Sequence, residues 1–215
     1  SLVFDLAQQF RHRTGMPADL VRKILDHAQQ LQRQLAESGE TAPDLRHSEA
    51  GALIDLVETL LALGDTRAAL AAAERAREIM AELAATNPGN TQWQHDLSVS
   101  HNKIGDVLAA AGQREEALAE FRMSLAIDEK LAAADPGNAR WQRGLLVTHQ
   151  YIGDVLAAAG RREEALAEFR KSAAIGEKLA ARDPSNARWQ RDLAIGHERI
   201  GRELAAAGQR EEALA

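Results

Sequence analysis

A near-copied segment of 48 residues constrains this chain more than any other feature. The stretch from Asn87 to Ala134 returns with few changes from Asp135 to Arg182, and its first half returns again from Asp183. The three tryptophans, at positions 93, 141 and 189, keep the same spacing of 48 residues. A period of this length is typical of a solenoid, because one repeat cannot bury its apolar face until a neighbour stacks on it. The sequence therefore predicts a repeat architecture whose function is carried by its surfaces.

Each repeat is predicted to fold as a helical hairpin. The first half carries a stripe at steps of three and four, the spacing of one helix face: Leu97, His101, Ile104, Leu108 and Ala111. The second half carries the facing stripe: Ala117, Leu118, Phe121, Leu125 and Leu131. Between the two halves, Gly112 is suited to cap the end of the first helix, and acidic residues open the next one. We therefore expect an all-α protein.

These residues resemble the tetratricopeptide repeat, which has the pattern W-x2-L-G-x2-Y followed by Ala and Phe. One repeat matches at His101, Ile104, Gly105, Leu108, Ala117 and Phe121, and the next at His149, Ile152, Gly153, Leu156, Ala165 and Phe169. The last one matches at His197, Ile200, Gly201, Leu204 and Ala213. The resemblance implies an α-solenoid of antiparallel hairpins stacked as a right-handed superhelix. Its Gly is expected to face its Ala, so that two helices approach closely.

The repeat here is longer than the 34 residues usual in that family. The closing Pro of the family pattern is replaced by Glu129, and the second helix is expected to continue to about Ala134. Long repeats of this kind look like those of bacterial multidomain signalling proteins. In the preceding repeat, Val57 replaces the Gly and Ala73 replaces the Phe. This exchange conserves volume across the contact, so we expect the pair to pack equivalently.

We expect one solenoid domain made of five segments and about nine helices. The segments are a degenerate hairpin at 1–42, repeats at 43–86, 87–134 and 135–182, and a truncated repeat at 183–215. The chain begins at Ser1 without Met, which suggests a fragment of a longer protein. Both ends are expected to expose apolar stripes that favour self-association, with a closed dimer preferred over a filament. The stripes are Leu2, Leu6 and Phe10 at one end and Ile200, Leu204 and Ala207 at the other.

Composition excludes several functional classes. The chain has no Cys, so disulfides, thiolate metal sites and Cys nucleophiles are excluded. A formal net charge of −6 argues against a nucleic-acid partner, because such proteins usually present a basic stripe. No apolar run reaches the roughly 18 residues of a membrane span, and no signal segment opens the chain. We expect a cytoplasmic protein without a membrane or nucleic-acid partner.

The candidate catalytic patterns are weak. His101, His149 and His197 recur one repeat apart, roughly 8–10 Å, so they cannot share a metal ion whose ligands lie about 2 Å away. Packing or a satisfied hydrogen bond is the expected role of this column. Asp106 and Asp154 are likewise too far apart for joint acid–base chemistry, and they are expected to be solvated or to line a groove. We expect no catalytic residues, no metal, no cofactor and no enzymatic activity.

The three tryptophans open the first helix of their repeats. They are expected to wedge between successive hairpins; the alternative is an aromatic ladder that stacks a ligand. The resemblance places the concave face on the first helices. The matching positions are Val99, Asn102 and Asp106, then Val147, Gln150 and Asp154, then Ile195, Glu198 and Arg202.

The carboxylate clamp of the tetratricopeptide family needs Lys, Arg and Asn at such positions, and Asp at two of them argues against it. The concave face would instead suit an apolar segment with basic groups, although these positions could simply face water. The sequence thus predicts a non-catalytic protein-interaction or scaffolding module of a larger signalling or regulatory protein, which binds a protein or peptide segment. The alternative is a regulatory sensor that binds a small molecule inside the superhelix.

Overall fold

The computed structural model describes residues 43–208, which form seven α-helices and no β-strand. The first helices of the repeats are α1 (Pro43–Ala62), α3 (Thr91–Ala110), α5 (Ala139–Ala158) and α7 (Ala187–Ala206). The second helices are α2 (Thr66–Thr86), α4 (Arg114–Ala134) and α6 (Arg162–Arg182). The predicted all-α fold of helical hairpins is confirmed for this part of the chain. The helices predicted before residue 43 and after residue 210 lie outside the described residues.

The hairpin turns follow from local backbone chemistry. Each turn contains a glycine with φ between +76° and +81°, a conformation that other residues adopt at a steric cost: Gly64, Gly112, Gly160 and Gly208. An asparagine caps the N-terminus of the helix that follows each linker, as the sequence predicts. The side-chain oxygen of Asn138 accepts a hydrogen bond from the backbone nitrogen of Arg140 at 3.1 Å, and Asn186 accepts one from Trp189 at 3.2 Å. The boundaries of the helices are therefore encoded by short polar segments.

The described residues divide into two compact units between Trp93 and Gln94. In the first unit, α1 packs against α2. Val57 and Ala73, the exchanged pair, are both 0% exposed. Arg46 of α1 forms an ion pair with Glu82 of α2 at the edge of this packing. The unit therefore has its own apolar core between two helices.

In the second unit, a glycine of each first helix contacts a phenylalanine ring of the following helix. A Cβ atom added at Gly105 would lie 2.5 Å from Cε1 of Phe121, and one at Gly153 would lie 2.3 Å from Cε1 of Phe169. The sequence predicts a close approach at these glycines, which is confirmed. The nearest atoms, however, belong to the phenylalanine and not to the expected alanine. The ring occupies the volume that a Cβ would need, and this explains why Val57 is accompanied by Ala73 in the first unit.

Successive hairpins of the second unit meet through aromatic side chains. The ring of Phe121 stacks on Tyr151 with centroids 5.1 Å apart and planes 7° apart. Trp141 is 7% exposed and packs with Leu131 and Ala132 of the preceding helix, as expected for a wedge. At α7, Leu204 is 2% exposed, so the prediction that it lies on an exposed stripe is wrong.

Candidate binding cleft

One cleft in the second unit is bordered by all three of its first helices. It has a volume of about 600 Å³ between residues of α3, α5 and α7, and Asp128 of α4 also lines it. Its apolar walls include Val99, Val147 and Trp189. We call it the α3–α5–α7 cleft. Its volume lies within the roughly 300–1,000 Å³ that is usual for small-molecule sites.

The cleft contains three of the nine positions predicted for the concave face: Val99, Asn102 and Val147. The other six positions do not line it. Asp106 and Ile195 are half-buried, whereas Glu198 and Arg202 are exposed on α7. Gln150 and Asp154 contact α7 instead, as described below. The structure therefore brings three of the predicted positions together in the cleft and leaves the other six outside its lining.

A buried carboxylate forms the floor of the cleft. Asp128 is 1% exposed. One of its oxygens accepts a hydrogen bond from the hydroxyl of Ser98 at 2.6 Å, and the other accepts one from the hydroxyl of Thr148 at 2.7 Å. The hydroxyl of Ser124 lies within 3.2 Å of the hydroxyls of both Ser98 and Thr148. Burial raises the pKa of Asp128, and the hydroxyl donors offset part of that effect.

Two polar atoms beside Asp128 have no hydrogen-bond partner. They are Oδ1 of Asn102 and Nδ1 of His95. The hydroxyl of Thr148 gives its single proton to Asp128, so it must accept from Nδ2 of Asn102, at 3.0 Å. This contact leaves Oδ1 of Asn102 as the unsatisfied atom. An unpaired buried acceptor of this kind costs about 1–3 kcal/mol of stability.

His95 is a neutral neighbour of the buried carboxylate at pH 7. Burial, together with the positive charges of Arg140 and Arg143, lowers its pKa from 6.5 to about 4. Its Nδ1 lies 4.0 Å from Oδ1 of Asp128, beyond hydrogen-bond distance. The ring also contacts Trp141, with centroids 5.1 Å apart. His95 therefore lines the floor without an ionic contact to Asp128.

The mouth of the cleft is basic. Arg140, Arg143 and Arg188 line it, and Arg140 and Arg188 are exposed. Arg143 donates to Asp192 of α7, with its Nε 2.6 Å from the carboxylate. Nη2 of Arg140 lies 3.7 Å from the carboxylate of Asp96. Three arginines at this opening favour an anionic group, in contrast to the basic groups that the sequence led us to expect.

The polar floor departs from the repeat, and this departure is a signal that the sequence analysis missed. Forty-eight residues after Ser98, Asp128 and Thr148, the chain has Leu146, Gly176 and Gly196. Forty-eight residues before them, it has Ala50, Met80 and Ser100. The neighbouring repeats thus have mostly apolar or small residues at the equivalent sequence positions. A comparison of the repeats for positions where a polar residue replaces an apolar or small one identifies Asp128.

Asp154 is held in an ion pair between repeats. Its two carboxylate oxygens accept from Nε and Nη2 of Arg199 on α7, both at 2.6 Å. Gln150 donates to the backbone oxygen of Asp192 at 3.2 Å, and its own side-chain oxygen lies 3.3 Å from Nη1 of Arg199. The expectation that Asp154 is only a solvated or groove-lining residue is corrected, because it joins α5 to α7.

The histidine column makes hydrogen bonds within its hairpins. Nδ1 of His101 lies 2.6 Å from Oε2 of Glu120, and Nδ1 of His149 lies 2.6 Å from Oε2 of Glu168. Both histidines are buried, which agrees with the predicted structural role. His197 differs, because it is exposed. Burial alone would raise the pKa of Glu168, but hydrogen bonds from Lys171 and His149 outweigh it and lower that pKa.

Within residues 43–208, no helix combines the length and the apolar character needed to cross a bilayer. No family model matches the sequence, and no curated protein matches it either.

Several solved structures share the fold at low sequence identity. The apo form of RapI aligns over 99% of this chain with a TM-score of 0.71 and 14% identity, and the chain spans 65% of RapI. A protein of Podosopora anserina, described as a kinesin light chain with nearly identical TPR-like repeats, aligns over 99% of this chain and 88% of its own. Its TM-score is 0.69, at 18% identity.

A third similar structure is the yeast histone chaperone Hif1, described as a scaffold protein that recruits protein complexes to core histones. It aligns over 94% of this chain and 93% of its own, with a TM-score of 0.56 and 14% identity. Similarity at identities this low shows a shared fold alone. The hairpin packing and these similarities together identify the fold as a TPR-like helical solenoid.

Proposed function

We propose that this chain is a non-catalytic protein-interaction module, which binds a segment of a partner protein along the face formed by α3, α5 and α7. The observation that carries the proposal is that α3, α5 and α7 border one shared cleft. TPR-like folds present their first helices to ligands in this way, and Hif1 is described as a scaffold. The partition into repeats, a cytoplasmic location and a role in signalling belong to the same proposal.

A surface further along α7 supports a protein ligand. Glu198 and Arg202 are exposed one helical turn apart on α7, with charged groups 3.9 Å apart. Ile195 lies half-buried one turn before Glu198. An apolar residue next to an accessible pair of opposite charges is typical of the rim of a protein interface, where charges contribute specificity and association rate more than affinity.

The test uses a library of random twelve-residue peptides displayed on phage and selected against the immobilised chain. Binding of the selected peptides is then measured by fluorescence anisotropy. The double exchange Glu198→Arg with Arg202→Glu keeps the intrahelical ion pair but reverses its polarity, and we expect it to weaken binding at least fivefold. The matched control is Glu129→Lys with Lys130→Glu, which exchanges two exposed charges on α4. Equal weakening by both exchanges, or no enriched peptide, would count against the proposed face.

The alternative function is a regulatory sensor that binds a small molecule. It is favoured by the volume and the unsatisfied polar atoms of the α3–α5–α7 cleft. A second copy of the chain is a further possible partner, and light scattering over a concentration series tests it. A constant monomer mass at high micromolar concentration would reject self-association.

A further inference from the structure

The polar floor of the α3–α5–α7 cleft is not required for packing. At the next joint, the position of Asp128 is taken by Gly176, where an added Cβ would contact side-chain atoms of Leu146 and Leu193 at 3.4 Å. One repeat away, the equivalent contact is therefore made by apolar side chains. A buried carboxylate with a raised pKa and an unpaired amide oxygen both reduce stability. Such an arrangement is typical of a site that is completed by a ligand.

The floor requires hydrogen-bond donors. Oδ1 of Asn102 is buried and unsatisfied, and Asn102 lines the cleft. The neighbouring carboxylate of Asp128 is an acceptor, and the unpaired Nδ1 of His95 can also accept. Gly144 faces Asp128 across this floor, where an added Cβ would lie 3.3 Å from its Oδ1. A glycine at this position keeps the approach to the carboxylate open.

The mouth favours an anion. The exposed arginines Arg140 and Arg188 stand in the first turns of α5 and α7, whose N-termini also border the cleft through Ala139 and Asn186. Helix N-termini carry a partial positive charge that favours anionic groups. The cleft is thus electrostatically divided, with acceptors at its buried end and positive charge at its exposed end.

We propose that the α3–α5–α7 cleft binds a small zwitterion of the amino-acid class, with its ammonium group at Asn102 and Asp128 and its carboxylate at Arg140 and Arg188. The apolar part of the ligand lies against Val99, Val147 and Trp189. This binding goes beyond the proposed protein interaction and would act as a regulatory input to it. The same chemistry could come from a free amino acid or from neighbouring Lys and Glu side chains of a peptide. We favour the free ligand because the unsatisfied atoms lie at the buried end.

The test measures thermal stabilisation and heats of binding with the complete chain. The probes are the twenty common amino acids, each tested singly, with succinate as a matched dianion and putrescine as a matched dication. We expect at least one amino acid to raise the melting temperature and to bind saturably, while succinate and putrescine do not. Binding of either control as strongly as the best amino acid overturns the proposal, as does binding of none of the twenty.

Two variants locate the site. Arg140→Gln changes an exposed side chain and should weaken binding of the amino acid about tenfold, whereas Asn102→Leu should abolish it. Arg191→Gln, at an exposed position of α7 outside the cleft, is the control and should change affinity by less than twofold. Equal effects of Arg140→Gln and Arg191→Gln would overturn the assignment, even if Asn102→Leu does not fold.

The outcomes separate this proposal from the proposed protein interaction. If selected peptides bind on α7 and no amino acid binds, the interaction face stands and the zwitterion site is rejected. If amino acids bind and no peptide is enriched, the reverse holds. If the selected peptides themselves require Arg140 and Asn102 while free amino acids do not compete with them, the ligand is a peptide and the free-ligand proposal is overturned.

Discussion

The contact between Gly153 and Phe169 can be tested with one substitution at Gly153. It should destabilise the chain when the ring of Phe169 is present and stabilise it when the ring has been removed. Phe169 is 1% exposed, and a Cβ at Gly153 would lie 2.3 Å from its ring. Ordinary carbon–carbon contacts lie at about 3.5–4.0 Å, so the ring or the helix must move by more than about 1 Å. We expect Gly153→Val to cost about 1–3 kcal/mol, the usual range for overpacking.

Phe169→Ala removes the ring and should cost about 3–5 kcal/mol. In that background, Gly153→Val fills part of the vacated volume and should raise stability, because it recreates the buried pair Val57 and Ala73 of the first unit. We expect a coupling free energy of at least about 1 kcal/mol between the two positions, within the range measured for residues in contact.

Native-state hydrogen exchange of α5 and α6 is the suitable assay, because repeats unfold locally and a global melting curve can mix several transitions. Four proteins are compared: the unsubstituted chain, the two single variants and the double variant. If Gly153→Val destabilises these helices equally with and without the ring, to within about 0.5 kcal/mol, the two positions do not couple and the packing argument fails.

Three further predictions concern charged groups. The pKa of His95 is about 4 in the folded chain and 6.5 in the unfolded chain. The stability of the fold is therefore highest above pH 6.5 with respect to this group, and it is lost as pH falls from 6.5 through 4. That loss is about 3 kcal/mol, and urea unfolding should show a flatter pH dependence for His95→Gln. The raised pKa of Asp128 acts in the opposite direction, because stability is highest below 3.8 and is lost as pH rises through the folded-state pKa. Asp128→Asn should therefore raise the urea midpoint at about pH 7 and change it little at about pH 3; no gain at neutral pH would contradict this. Asp154→Asn should cost up to about 1 kcal/mol, as expected for a part-exposed pair, and should cost nothing further once Arg199→Gln is present; additive losses would show that the pair does not act as a unit.

Local sequence signals were sufficient to predict the elements of the fold. Asn138 caps the start of α5, and Gly112 permits the turn after α3 through its positive φ. The start of α5 at Ala139 and the end of α4 at Ala134 could therefore be predicted from short segments. The Gly–Phe contact was only half predicted. The sequence indicates that Gly105 permits a close approach, but the partner depends on the rotation of α4 about its own axis.

The floor of the cleft could not be predicted from helical patterning. Asp128 lies beside Glu129 and Lys130, in a run typical of a solvated helix face. Its donors, Ser98 and Thr148, come from two other helices, and each is unremarkable in its own sequence context. Only the packing of three helices brings them to one carboxylate. The same limit applies to Asp154, whose partner Arg199 is 45 residues away along the chain.

The contacts between successive hairpins respond differently to dissolved salt, although the repeats are nearly identical in sequence. Phe121 and Tyr151 meet face to face, an association that depends little on dissolved ions. The attachment of α7 instead includes the charged contacts of Asp192 and Asp154 with arginines. Added salt screens the part-exposed pair of Asp154 and Arg199, so α7 should loosen at ionic strengths that leave the aromatic joint intact. The ionic medium can thus set how many repeats are docked at one time.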